Sequence, residues 1–200
     1  MGRPYARVFS LVGVLTAALF AVASGVSPAT ASTVPAAPAA PATTMVRVPM
    51  KVVGFDAKVA AAHGYALRKE ANGATELVNV RTGSVVPQDT VKGNCGYSWY
   101  YLSNRSASTW TFWTGFYIYP IYGAAYDYTW HTHVTGPAGY SQSDDFGGLL
   151  EARARWESKN ERFHAFGARG TYVGAVTSGH AITLLGFVCY TGYPFDKLTH

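Results

Sequence analysis

The stretch that most constrains this chain is Tyr126–Thr135, YDYTWHTHVT. In steps of two, one side carries Tyr126, Tyr128, Trp130, Thr132 and Val134, and the other carries Asp127, Thr129, His131, His133 and Thr135. Successive side chains leave a pleated backbone on opposite faces, so this alternation of aromatic and β-branched residues with polar ones predicts a half-buried strand. The surroundings agree. Fourteen aromatic residues fall between Tyr97 and Trp130, and 21 glycines punctuate the chain, a pattern that favours short strands over helices. Charged residues make up only 14%, too few to coat the exposed faces of an ordinary helical protein.

Residues 1–31 read as an export signal. Arg3 and Arg7 supply a positive start, Val8 to Val26 the apolar core, and Ala29-Thr30-Ala31 a small-x-small cleavage site. Ser10, Gly13, Thr16, Ser24 and Gly25 interrupt the apolar run, and no basic stop-transfer cluster follows it, so a cleaved signal is preferred over a membrane anchor. Residues 32–44 form a Pro/Ala linker, held extended by Pro35, Pro38 and Pro41. The expectation is a secreted protein, extracellular or cell-wall associated, with no membrane contact once the signal is removed.

The formal charge is +5. Without Arg3 and Arg7, the 16 basic residues become 14 against 11 acidic, or +3. No basic run of the kind that tracks phosphates is present, which argues against a nucleic-acid partner.

Residues 45–93 are expected to form a small N-terminal unit of a helix and a hairpin. Asp56 is placed to cap a short helix over Phe55–Gly64, and Gly64 to end it in the left-handed conformation. Asn72-Gly73 marks a tight turn between strands Tyr65–Glu70 and Thr75–Val80, and a second turn at Arg81-Thr82-Gly83 leads into Ser84–Pro87. Residues 94–200 then alternate strand and turn. Strands are predicted at Tyr97–Leu102, Thr109–Tyr119, Ala125–Thr135, Leu149–Trp156 and Arg162–Ala168, followed by a hairpin of Thr171–Thr177 and Ala181–Tyr190 turning at Ser178-Gly179-His180. The fold class is all-β, an antiparallel β-sandwich or small barrel preceded by the helix and hairpin unit.

Cys95 and Cys189 are the two cysteines. In an exported chain they are expected to pair, closing the β domain with a loop of about 100 residues that stabilises by about 4–5 kcal/mol in the loop-entropy account. A thiol nucleophile is the rival. Cys95-Gly96-Tyr97-Ser98-Trp99 approaches the papain-type pattern, but the nucleophile's position there is occupied by Ser98.

Two candidate sites remain. His131 and His133 share one strand face, about 6.5–7 Å apart, close enough for two imidazoles to converge on one metal such as zinc, in a chain otherwise expected to carry no cofactor. A third ligand would come from Asp127, His164, His180 or Asp144/Asp145; otherwise the pair is simply the polar outer face of a strand. Within Trp110–Tyr119, Trp110, Phe112, Phe116 and Ile118 fall on one face, and Trp113, Tyr117 and Tyr119 on the other. A strand apolar on both faces is either buried twice over or offers one face to a ligand, and Trp and Tyr suit stacking on sugars or packing at an interface. The acids Asp144, Asp145, Glu151, Glu157 and Glu161 contain no recognisable catalytic pair, and no nucleophile elbow, H-E-x-x-H or phosphate loop occurs.

Gly54-Phe55-Asp56 with Ala62-His63-Gly64-Tyr65, then Gly93-Asn94-Cys95-Gly96-Tyr97-Ser98, then Gly186–Cys189 together resemble a group of short secreted two-Cys β-domain proteins of actinobacteria. The resemblance spans most of Val53–Thr191. It implies export and a two-Cys β domain, and carries no catalytic residues. Three functions follow as expectations: a non-catalytic protein that binds an extracellular partner (cell-wall polymer, carbohydrate or protein), a secreted hydrolase assisted by zinc at His131 and His133, and a purely structural surface protein.

Overall fold

The computed structural model describes residues 45–86, 93–106, 109–159, 161–163 and 169–199. The export signal and the Pro/Ala linker lie outside them. The described chain is all-β and antiparallel apart from one helix and two single 3-10 turns. Its strands are β1 (Arg47–Phe55), β2 (Tyr65–Lys69), β3 (Thr75–Asn79), β4 (Val85–Val86), β5 (Asn94–Ser106), β6 (Thr109–Ile118) and β7 (Ala125–Thr135). They continue with β8 (Ser141–Arg153), β9 (Arg155–Glu157), β10 (Glu161–Phe163), β11 (Thr171–Thr183), β12 (Phe187–Tyr190) and β13 (Phe195–Thr199).

One large sheet runs β10-β6-β5-β1-β12-β11-β7-β8, with β9 on β6 and β13 on β11. The sheet nearly closes into a barrel because one continuous segment serves both of its ends. β8 pairs with β7 as far as Ala125↔Arg153, the chain bends at Ala154, and β9 at once pairs with β6 at Tyr117↔Arg155. Ile118 N donates to Ala154 O at 2.8 Å across that corner. Just before the corner, β8 carries a bulge in which three residues, Leu150 to Ala152, face the single Tyr126, with Glu151 (φ 48°) and Ala152 (φ 66°) in the left-handed region. The strand expected over Leu149–Trp156 is therefore two strands divided by a corner.

The helix and hairpin expected before the β domain are present. α1 (Ala57–Ala62) is capped by Asp56, whose Oδ1 accepts from Lys58 N and Val59 N, and Gly64 follows it at φ 81°. β2, β3 and β4 form a separate three-stranded sheet, with Gly73 (φ 83°) and Gly83 (φ 69°) in its turns. Strand β1 is drawn differently. Placed by sequence with the N-terminal unit, it lies in the large sheet between β5 and β12. Pro49 is tolerated there because β12 pairs only Lys51–Phe55, so at Pro49 a neighbour is needed on the β5 side alone.

The hairpin expected around Ser178-Gly179-His180 is not a hairpin. β11 runs straight through these residues, with an irregularity between Val176 and Ser178, and pairs β7 from Val173↔Thr135 to Thr183↔Ala125. Gly179 serves packing instead: the Trp130 indole lies where its Cβ would be. The turn comes later, at Gly186 (φ 88°), whose N–H donates to Thr183 O.

The core lies inside the curved sheet. In β7, Tyr128, Trp130, Thr132 and Val134 are buried while Thr129 and Thr135 are exposed, the expected alternation. Phe116 packs on Trp130 at 5.4 Å between ring centroids, Trp156 on Tyr128 at 4.5 Å, and Tyr100 stacks on Phe112 at 5.4 Å. Thr114 ties the layers together. Its Oγ1 accepts from Trp130 Nε1 (3.0 Å) and donates to Trp99 O (2.7 Å). Burial, followed by the nearby Asp144 and Asp196 carboxylates, pushes the Tyr100 hydroxyl well above the usual tyrosine range, so it stays protonated. Cys95 and Cys189 form a disulfide with Cα atoms 6.2 Å apart, and both are fully buried. The bridge links β5 to β12, the two strands that flank β1.

Candidate binding face

The outward side of β5 and β6 is where aromatic residues gather outside the main core, with Tyr119 at its margin packed against that core as well. Antiparallel register sets the rows. Tyr97 opposes Tyr117, Trp99 opposes Gly115, and Tyr101 opposes Trp113; on the far edge of β6, Tyr117 opposes Arg155 and Gly115 opposes Glu157. Tyr97 and Tyr117 stack at 5.4 Å, and Tyr119 stands edge-on to both, at 6.4 and 6.1 Å. Trp113, Tyr117 and Tyr119, singled out by sequence, thus share one face, each partly exposed.

Two members of this face escaped the sequence reading: Tyr97 and Trp99. Their signal was available, since Tyr97, Trp99 and Tyr101 alternate as the β6 residues do. Trp99 is only 1% exposed although it points outward. It can lie flat because Gly115 has no side chain: a Cβ there would come within 2.6 Å of Trp99 Cζ2. Trp113 closes one side of the indole at 6.1 Å, and the Arg155 guanidinium sits 5.0 Å from its ring centroid. Arg155 is held in place by Glu157 Oε2, which accepts from its Nε at 3.0 Å and also from Nη2. Arg47 covers Tyr97 in the same way, at 4.6 Å. The indole N–H of Trp99 has no acceptor among the described residues. Beside Trp113 opens a hollow of about 320 Å³, lined also by Glu157, Ser158 and Lys159.

The second candidate, His131 and His133, lies on the outward face of β7, as alternation predicts. Each imidazole is engaged by the neighbouring strand β8. His131 Nδ1 lies 2.6 Å from Asp145 Oδ1, and His133 Nδ1 lies 2.8 Å from Ser143 Oγ. Of the expected third ligands, Asp127 accepts from Tyr128 N, Asp145 bonds one histidine, Asp144 faces Gln142, and His180 bonds Thr129; His164 falls outside the described residues. Among the described residues no group of three His, Cys, Asp or Glu side chains is placed to hold a metal.

His180 has its own electrostatic consequence. Its Nδ1 lies 2.9 Å from Thr129 Oγ1 and its ring stacks on Tyr190 at 5.3 Å. Partial burial lowers its pKa from the ordinary value of 6.5; Asp127 opposes that shift and His131 adds to it. A base with a lowered folded pKa binds its proton later than the unfolded chain does. Between about pH 6.5 and that lower value the unfolded state therefore holds more protons, and stability falls as pH falls. Urea midpoints should drop between pH 7.5 and 5.5, and His180→Gln should shrink that drop. An identical drop in the variant would assign the acid sensitivity to other groups.

Compared with protein-family models, curated proteins and solved structures, the chain matches none, so its fold and its aromatic face stand on their own geometry.

Proposed function

We propose that this is a secreted, non-catalytic binding or surface protein that holds an extracellular partner, a cell-wall polymer, carbohydrate or protein, on the aromatic face of β5 and β6. The supporting observation is the set of partly exposed rings Tyr97, Trp113, Tyr117 and Tyr119, braced by the buried Trp99, on the outward side of a sheet whose core is already filled from within. A large ring is costly to leave partly in water, and flat rings braced by neighbours offer contact area with little entropy left to lose. A buried disulfide suits an oxidising compartment. No helix among the described residues is long and apolar enough to cross a membrane.

Expression with residues 1–44 in place tests export and binding together. The mature protein should appear in the medium beginning near Ser32, and should sediment with insoluble cell-wall polysaccharide. Trp113→Ala and Tyr117→Ala should each weaken sedimentation about tenfold, the scale of one stacking contact, with far-UV circular dichroism unchanged. Undiminished sedimentation of both variants would remove the aromatic face from consideration.

A further inference from the structure

We infer that the hollow beside Trp113 is a subsite for one carboxylate-bearing sugar unit of an acidic polysaccharide; this rests on the aromatic face being the binding face. The lining names the chemistry. A hollow of about 320 Å³ lies at the small end of ligand sites, the scale of a single ring rather than a folded peptide. Trp113 is half-buried, so it can present its flank to the C–H face of a pyranose while its other contacts keep it still.

The polar groups divide into those already satisfied and those left over. Ser158 is tied to β6: its N–H donates to Thr114 O at 2.9 Å, and its Oγ accepts from Thr114 N at 3.1 Å. Glu157 is neutralised by Arg155, and both contacts fall on Oε2, which leaves Oε1 to accept from a sugar hydroxyl. Lys159 is exposed and has no ion pair or hydrogen bond among the described residues. Its ammonium is thus the unspent charge of the hollow. Arg47, laid over Tyr97, adds positive charge along the same face, while Arg155 is balanced by Glu157. A carboxylate reaching Lys159, a hydroxyl reaching Glu157 Oε1 and a ring against Trp113 use all three groups at once. A neutral sugar would leave the ammonium unmatched, and a phosphate polymer without rings would leave Trp113 unused.

Polygalacturonate and its fully methyl-esterified form have the same rings and differ in charge, which isolates the carboxylate. Titration calorimetry of the mature protein at low salt should show polygalacturonate binding about threefold tighter than the ester, the scale of one solvent-exposed ion pair. Lys159→Gln should erase that difference, and Lys159→Glu should abolish polygalacturonate binding. Trp113→Ala should weaken both polymers alike. Equal affinity for acid and ester, still weakened by Trp113→Ala, would overturn the carboxylate subsite while leaving the aromatic face intact. Absence of polygalacturonate binding, or tighter binding of poly(glycerol phosphate), would overturn the subsite as well. The aromatic face itself falls only if Trp113→Ala and Tyr117→Ala leave cell-wall sedimentation unchanged.

Discussion

Trp130→Ala should cost about 3–5 kcal/mol of folding stability, the range for removing a large aromatic from a packed interior. Three features put it at the upper end of core substitutions. The side chain is fully buried, and it is packed between Phe116 at 5.4 Å and Trp156 at 6.0 Å. Its indole N–H is spent on Thr114 Oγ1, so the truncation removes a buried hydrogen bond along with the ring. Gly179 lies beneath it with no side chain to refill the space, and the rigid β7–β11 ladder on either side limits collapse. Urea unfolding followed by far-UV circular dichroism measures the loss. Trp130→Phe, which keeps most of the ring but not the N–H, should lose less than half as much. A loss below about 1 kcal/mol for the alanine variant would mean that the barrel interior repacks freely around the missing ring.

Reduction of the Cys95–Cys189 bridge should have an effect of the same order, by a different route. The two cysteines are 94 residues apart, and a loop of that size constrains the unfolded chain by about 4–5 kcal/mol in the loop-entropy account. In the folded protein the bridge joins β5 to β12 across β1, so its loss also loosens the strand that enters the sheet from the N-terminal side. Cys95→Ala with Cys189→Ala should therefore lower the urea midpoint strongly, and reductant should lower the wild-type midpoint but not that of the double variant. Non-reducing peptide mapping should recover the linked pair. A wild-type midpoint indifferent to reductant would remove the bridge as a source of stability.

How far the fold was legible depends on how local each signal is. β7 was bounded at Ala125 and Thr135 because period-2 alternation is a property of the strand itself. Asp56 at the start of α1, Gly64 after it and Asn72-Gly73 in the β2–β3 turn were equally readable, since capping and left-handed backbone are settled within a few residues. The cysteines were paired by arithmetic, there being only two. Ser178-Gly179-His180 misled because glycine has two uses. Gly186 bends the chain, whereas Gly179 admits a ring from a strand nearly fifty residues away, and no neighbour in sequence distinguishes them.

The candidate site divides in the same way. That Trp113, Tyr117 and Tyr119 share a face was visible in the alternation of Trp110–Tyr119 alone, as was the outward placement of His131 and His133 in β7. Which residues from other strands complete each face was not. Tyr97 and Trp99 join the aromatic face through the β5–β6 register, Arg155 and Glu157 through the chain's turn at Ala154, and Arg47 through β1 lying beside β5. By itself, then, the sequence determined strand character, turn chemistry and the two faces of each strand, because these follow from the backbone and its immediate side chains. Only the tertiary structure decided that β1 belongs to the large sheet, that β8 and β9 bring its ends together, and that Lys159 stands beside Trp113. Those outcomes rest on pairings between distant segments, in which the closing of long loops is offset by burial that no short stretch of residues contains.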